Sequence, residues 1–152
     1  MPAEVGSTAP PFSLKDQDGN DVALAGLPER NTLLVFIPFP FTGICEGELC
    51  EIRDHLGEFS KSGVQVVVIT CDTRYSNKKW AEEQGFDFPI LSDFWPHGQV
   101  AQSYGCFNDT LGVAQRATYV IDADRVVRRV ITTDSITTPR DFDSYEGALQ
   151  HI

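Results

Sequence analysis

From Pro38 to Cys50 the chain reads Pro-Phe-Pro-Phe-Thr-Gly-Ile-Cys-Glu-Gly-Glu-Leu-Cys. A turn with two prolines hands a threonine, and three residues later a cysteine, to what reads as a helix start. Thr42 is a natural N-cap, because its hydroxyl can accept an N–H that the first helical turn leaves free. Cys45 then falls in that first turn, where the helix dipole favours negative charge. A thiol there gives up its proton more readily, and the thiolate is the nucleophile. Attack by sulfur is the chemistry these residue types allow.

The elements needed to position that cysteine follow from hydrophobic periodicity. Residues 32–37 form an unbroken apolar run, as in a strand covered on both faces. Leu49, Ile52, Leu56 and Phe59 recur at helical spacing and predict one helix from Thr42 to about Ser60. Cys45 shares that buried stripe, whereas Cys50 falls on the flank with Glu46, Asp54 and Gly57. Residues 64–70 give a second buried strand, and strand–helix–strand with short joints is a parallel βαβ unit. Upstream, apolar triplets at 12–14 and 22–24 flank the turn formers 16–20 and predict a hairpin at one edge of the domain. Downstream, a helix over 76–84 closes at Gly85. A short strand follows within 88–93, then a loop at 95–98 and a short helix over 99–104. Strands at 116–121 and 125–132 join through 122–124. A last helix over 139–151 begins at a proline and buries Phe142, Tyr145 and Leu149. Without repeat or linker, residues 1–152 read as a single α/β domain.

A chain of 152 residues with 41% hydrophobic content suits one domain with a real core. Its net charge of −10 argues against nucleic acid or an anionic membrane as partner. The longest apolar runs are too short to span a bilayer. No basic-then-apolar leader opens the sequence, which sets the expectation of a cytoplasmic protein. Cys45, Cys50, Cys71 and Cys106 offer neither a C-x-x-C pair nor a nearby histidine pair, so a structural zinc site is disfavoured. A structural disulfide framework is disfavoured as well.

Taken together, Pro38-x-x-x-Thr42-x-x-Cys45 after a strand and at a helix start resembles the peroxiredoxin active-site motif. Arg116, in Gln115-Arg116-Ala117-Thr118-Tyr119-Val120-Ile121-Asp122, matches that family's active-site arginine. The opening Gly6-Ser7-Thr8-Ala9-Pro10-Pro11-Phe12-Ser13-Leu14 and the segment Phe88-Pro89-Ile90-Leu91-Ser92-Asp93 fit too. Thr42-Gly43-Ile44-Cys45-Glu46-Gly47-Glu48-Leu49 and Ser92-Asp93-Phe94-Trp95-Pro96-His97-Gly98 are similar to the alkyl hydroperoxide reductase E group. The resemblance implies a thioredoxin fold with an N-terminal β-hairpin and an inserted segment. It implies a thiol-dependent peroxidase that reduces hydrogen peroxide and organic hydroperoxides through a Cys45 sulfenic acid. In it Arg116 holds the thiolate and donates to the peroxide, Thr42 bonds to sulfur or peroxide, and Pro38 shields the site. Glu48 either orients the arginine or is a plain helix-surface glutamate. Thioredoxin, a glutaredoxin-like protein or a low-molecular-weight thiol would close the cycle, and a homodimer is expected. No metal, haem or flavin is implied.

Cys50 stands where the Q-type group (bacterioferritin comigratory protein) carries a resolving cysteine. Five helical residues rise about 7.5 Å, beyond the roughly 6.8 Å limit for bridged Cα atoms. A Cys45–Cys50 disulfide therefore requires the first turns to unwind, which Gly47, a poor helix former, makes easier. The alternatives are a one-Cys enzyme recycled by an external thiol and a peroxide sensor without turnover. A dithiol oxidoreductase lacks its C-x-x-C. Cys71 and Cys106 read as core cysteines, with Cys106 a secondary candidate for resolution. His55 and His97 read as surface or loop residues. Trp80 is expected to pack its helix on the sheet, and Trp95 to be a packed loop aromatic unless it serves a dimer or docking face.

Overall fold

The computed structural model describes residues 3–149. In chain order the elements are β1 (Ser13–Lys15), β2 (Asp21–Ala23), β3 (Asn31–Ile37), α1 (Gly43–Asp54), α2 (Leu56–Lys61), β4 (Val64–Thr70), α3 (Arg74–Gln84) and β5 (Ile90–Ser92). They continue with α4 (Gln99–Tyr104), β6 (Phe107–Asn108), β7 (Val113–Ala114), β8 (Ala117–Ile121), β9 (Val127–Thr132) and α5 (Asp143–Leu149). Seven strands form one sheet in the order β2-β1-β5-β4-β3-β8-β9. β3 runs parallel to β4 and antiparallel to β8. The hairpin β1–β2 extends one edge, as its turn composition predicts.

Alternation along the central strands explains why both faces are covered. Leu33, Val35 and Ile37 of β3 pack with Leu49 and Ile52 of α1, Trp80 of α3 and Tyr145 of α5. Leu34 and Phe36 point the other way, to Val100, Ala101 and Tyr104 of α4 and to Tyr119 of β8. β4 divides likewise, Val66 and Val68 to the first face and Val67 and Ile69 to the second. A period of two on a doubly covered sheet makes two cores, with Cys45 in the first and Cys71 and Cys106 in the second.

Several boundaries differ from the sequence expectation. The single helix to Ser60 breaks at His55, whose φ of −111° and ψ of 8° leave the helical region. The His55 ring nitrogen Nδ1 takes the Glu51 carbonyl (2.8 Å), so the His55 amide bonds Ile52 O instead. α3 begins two residues earlier than expected, capped by Thr73, whose Oγ1 accepts from Ser76 N–H. The last helix begins at Asp143 and not at Pro139, because the Arg140 backbone N–H and guanidinium are bound to Glu48. Its expected end at His151 lies outside the described residues. The hairpin β6–β7 was not foreseen, being too short for any periodicity to register. Gly98, immediately before α4, sits at φ 70°, and a Cβ on it would run into the Phe107 ring of β6, so no larger residue fits. Trp95 is not packed but 80% exposed.

Candidate active site

Strand β3 ends at Ile37 and delivers the chain through Pro38, which is buried, to an exposed turn at Phe39 and Phe41. Phe41 has φ 67°, a left-handed conformation uncommon for an aromatic residue. Thr42 takes the N-cap position by its backbone, with Glu46 N–H donating to Thr42 O at 2.9 Å. Its side chain does not cap the helix as expected. Thr42 Oγ1 donates instead to Phe39 O (2.7 Å), closing the turn that precedes the cysteine. The tightness of that turn, imposed by the two prolines and the left-handed Phe41, brings a carbonyl nearer to the hydroxyl than any helical N–H.

Cys45 lies in the first turn of α1 with no exposed surface, on the stripe that packs against β3. One turn on, Glu48 is also buried, so the plain surface reading of this residue is wrong. Its Oε1 accepts from Arg116 Nη1 (2.5 Å) and Arg140 Nη2 (2.9 Å). Its Oε2 accepts from the Arg140 backbone N–H (2.7 Å) and Nε (2.9 Å). Arg116, immediately before β8, also donates from Nε to Ile136 O. Arg140 donates from Nη1 to Phe36 O (2.8 Å) and, at 3.4 Å, to Thr118 Oγ1, which in turn meets Tyr145 Oη at 3.0 Å.

Both arginines are buried with Glu48. Two guanidiniums and one carboxylate leave one positive charge in excess, and the side chain next along the helix face is a thiol. Burial opposes the Glu48 charge, but the Arg140 hydrogen bonds and charge, with the Arg116 charge, hold its carboxyl below the usual range. Burial likewise opposes the Arg140 charge. Tyr145, Glu48 and Cys45 outweigh it and raise Arg140 above its ordinary value. Cys45 thus stands within electrostatic reach of Arg140. Sequence reasoning missed Arg140. One arginine after a proline in a polar stretch carries no signal until Glu48 is seen to hold it.

Cys50 is half-buried on another side of α1, its Sγ 3.8 Å from Gln84 Oε1 of α3. The helix is continuous between Cys45 and Cys50, and both thiols are free. Cys106 belongs to the core on the opposite face of the sheet from Cys45, which removes it as a resolving partner in the folded protein.

The chain matches known sequences. The AhpC/TSA family covers residues 5–130, and the chain belongs to that family. Alkyl hydroperoxide reductase E of Mycobacterium tuberculosis is 49% identical over 125 residues, spanning 82% of each chain. Peroxiredoxin Bcp of Escherichia coli is 33% identical over 156 residues, spanning 99% of this chain and 92% of that one. The crystal structure of peroxidoxin BcpB from Mycobacterium tuberculosis superposes with a TM-score of 0.87 at 34% identity, covering 99% of this chain and 98% of that one. The fold is thioredoxin-like, and the protein is a peroxiredoxin, a thiol-dependent peroxidase.

Proposed function

We propose that Cys45 is the peroxidatic cysteine and that Cys50 resolves it. The observation that carries this reading is the buried cluster of Glu48, Arg116 and Arg140, whose one surplus positive charge a Cys45 thiolate balances. The thiolate sulfur attacks one oxygen of hydrogen peroxide or an organic hydroperoxide. The O–O bond breaks, and the other oxygen leaves as hydroxide or alkoxide and takes a proton, leaving Cys45 as a sulfenic acid. Negative charge spreads over sulfur and two oxygens in that step, and fixed guanidinium N–H groups lower its barrier. Arg116 donates to the peroxide, and Glu48 positions Arg116 and Arg140 together. The Thr42 hydroxyl donates its hydrogen bond to Phe39 O, which leaves its oxygen free to accept a hydrogen bond from the incoming peroxide. Pro38 closes the site against water.

The Cys50 thiol then attacks the Cys45 sulfenic sulfur. The S–O bond breaks, water leaves, and an intramolecular disulfide remains. That disulfide requires α1 to unwind, because the intact helix separates the two Cα atoms by about 7.5 Å along its axis alone. Thioredoxin, a glutaredoxin-like protein or a low-molecular-weight thiol returns it to the dithiol. A cytoplasmic setting, where such reductants keep thiols free, belongs to the same reading. So does a homodimer, for which Tyr75, Phe94 and Trp95 offer an exposed aromatic face; light scattering of the purified protein reads that point.

Mass spectrometry after one equivalent of peroxide tests the assignment. The expected product is a 45–50 disulfide in wild type and a persistent Cys45 sulfenic acid in Cys50→Ser. A wild type that also stops at the sulfenic acid makes this a one-Cys enzyme served by an external thiol.

A further inference from the structure

The seam between α1 and α3 is pinned at three places. Glu46 Oε1 accepts from Trp80 Nε1 (3.0 Å), Cys50 Sγ meets Gln84 Oε1 (3.8 Å), and Arg53 Nη1 donates to Gln84 O (2.5 Å). Positions 46, 50 and 53 line one side of α1, and 80 and 84 one side of α3, as helical spacing requires. The pin nearest the start of α1 differs from the others. Trp80 is wholly buried and held edge-on by Phe86, with ring centroids 5.2 Å apart. Its ring also meets Phe41 at 6.0 Å, just before the cysteine, while its N–H takes Glu46, just after it. One wholly buried side chain thus contacts the chain on both sides of Cys45.

We propose that Trp80, through Glu46 and Phe41, is the positioning residue that keeps the first turn of α1 wound over Cys45, and so sets how fast oxidised Cys45 reaches Cys50. The timing role rests on the reading of Cys50 as the resolving cysteine. Unwinding strips the buried indole N–H of its acceptor, a loss charged in full to the open state. Gly47 acts in the opposite sense. A Cβ there meets nothing within 4 Å, so packing does not demand glycine, and its effect is to weaken this turn.

Two readouts test the latch: the rate at which the sulfenic acid becomes the disulfide, and the rate at which iodoacetamide labels reduced Cys45 in a Cys50→Ser background. Trp80→Phe and Glu46→Ala should raise both about tenfold. Glu46→Gln, which loses the charge but keeps an acceptor, should stay within about twofold of wild type. Gly47→Ala should slow both about fourfold. Labelling of Cys71 and Cys106 in the same samples controls for general loosening. Unchanged rates in Trp80→Phe and Glu46→Ala overturn the latch, and so does parallel labelling of Cys45, Cys71 and Cys106. If wild type forms no disulfide, the Cys50 reading falls, and labelling of Cys45 still decides for or against the latch.

Discussion

The two faces of the sheet each bury thiols and surround them with different groups. On the α4 face, Cys71 and Cys106 sit with Tyr104 and Tyr119 in an apolar core. Burial pushes both thiols up to about 12, and the Asp93 charge adds to the rise. The Arg140 charge reaches Cys106 through the sheet, but as the smallest of the influences there. On the α1 face, Cys45 is no less buried, yet it sits beside a cluster of two guanidiniums and one carboxylate. Removal from water silences a thiol by default. Among the described residues, the paired guanidiniums that Glu48 gathers stand on the α1 face, and the proposed role of Cys45 rests on that difference.

The largest test of this contrast is removal of the sulfurs themselves. Cys45→Ser should lower peroxide reduction by about a thousandfold or more, since the nucleophile is gone. Cys71→Ala and Cys106→Ala should stay within about threefold of wild type, being inert at neutral pH. Stopped-flow peroxide consumption with excess reductant measures all three. Comparable losses on the two faces would break the distinction.

Next in size is the carboxylate that gathers the cations. Glu48→Ala leaves two buried guanidiniums without their counter-charge, which should cost about 3–5 kcal/mol in urea unfolding. Glu48→Gln keeps the shape but should slow peroxide reduction roughly ten- to a hundredfold, because the arginines lose their alignment. The acid limb is diagnostic. The folded Glu48 carboxyl lies below its unfolded value, so its stabilising share is present above the ordinary carboxylate range. That share is lost as pH falls through the folded value. Glu48→Gln should therefore be flatter than wild type between about pH 5 and pH 3. An identical acid limb in the two proteins would mean that Glu48 is not held by its arginines.

Much of this arrangement was legible in the chain itself. β4 and α4 have the bounds that periodicity gave, and Cys45 lies on the predicted stripe. These are local patterns, and local patterns survive in a single sequence. What escaped depends on partners far away along the chain. Thr42 has the right residue type for a cap, but the turn before it offered a nearer carbonyl at Phe39. Arg140 lies 92 residues from the Glu48 it grips, and no spacing rule connects them. Glu48 itself was ambiguous because the helix periodicity does not say what stands opposite. The start of α5 was misplaced for the same reason, since Pro139 is a good first residue only if Arg140 is free to turn helical.

The finest test uses two neighbours on one strand. Thr118 and Tyr119 are adjacent in β8, so their side chains point to opposite faces. Thr118 Oγ1 touches Arg140 Nη1 and Tyr145 Oη on the α1 face, while Tyr119 Oη donates to Tyr104 O (2.9 Å) on the other. Thr118→Val and Tyr119→Phe each delete one buried hydroxyl, and each should cost about 1 kcal/mol of stability. Their kinetics should part. Loosening Arg140 in Thr118→Val should slow peroxide reduction about two- to fivefold, because that guanidinium shares Glu48 with Arg116 in the proposed site. Tyr119→Phe alters only the silent core and should leave the rate within about twofold. Equal stabilities with unequal rates would show that the faces differ in charge delivered to the sulfur and not in rigidity. Equal rates would confine the electrostatic work to Glu48 and Arg116.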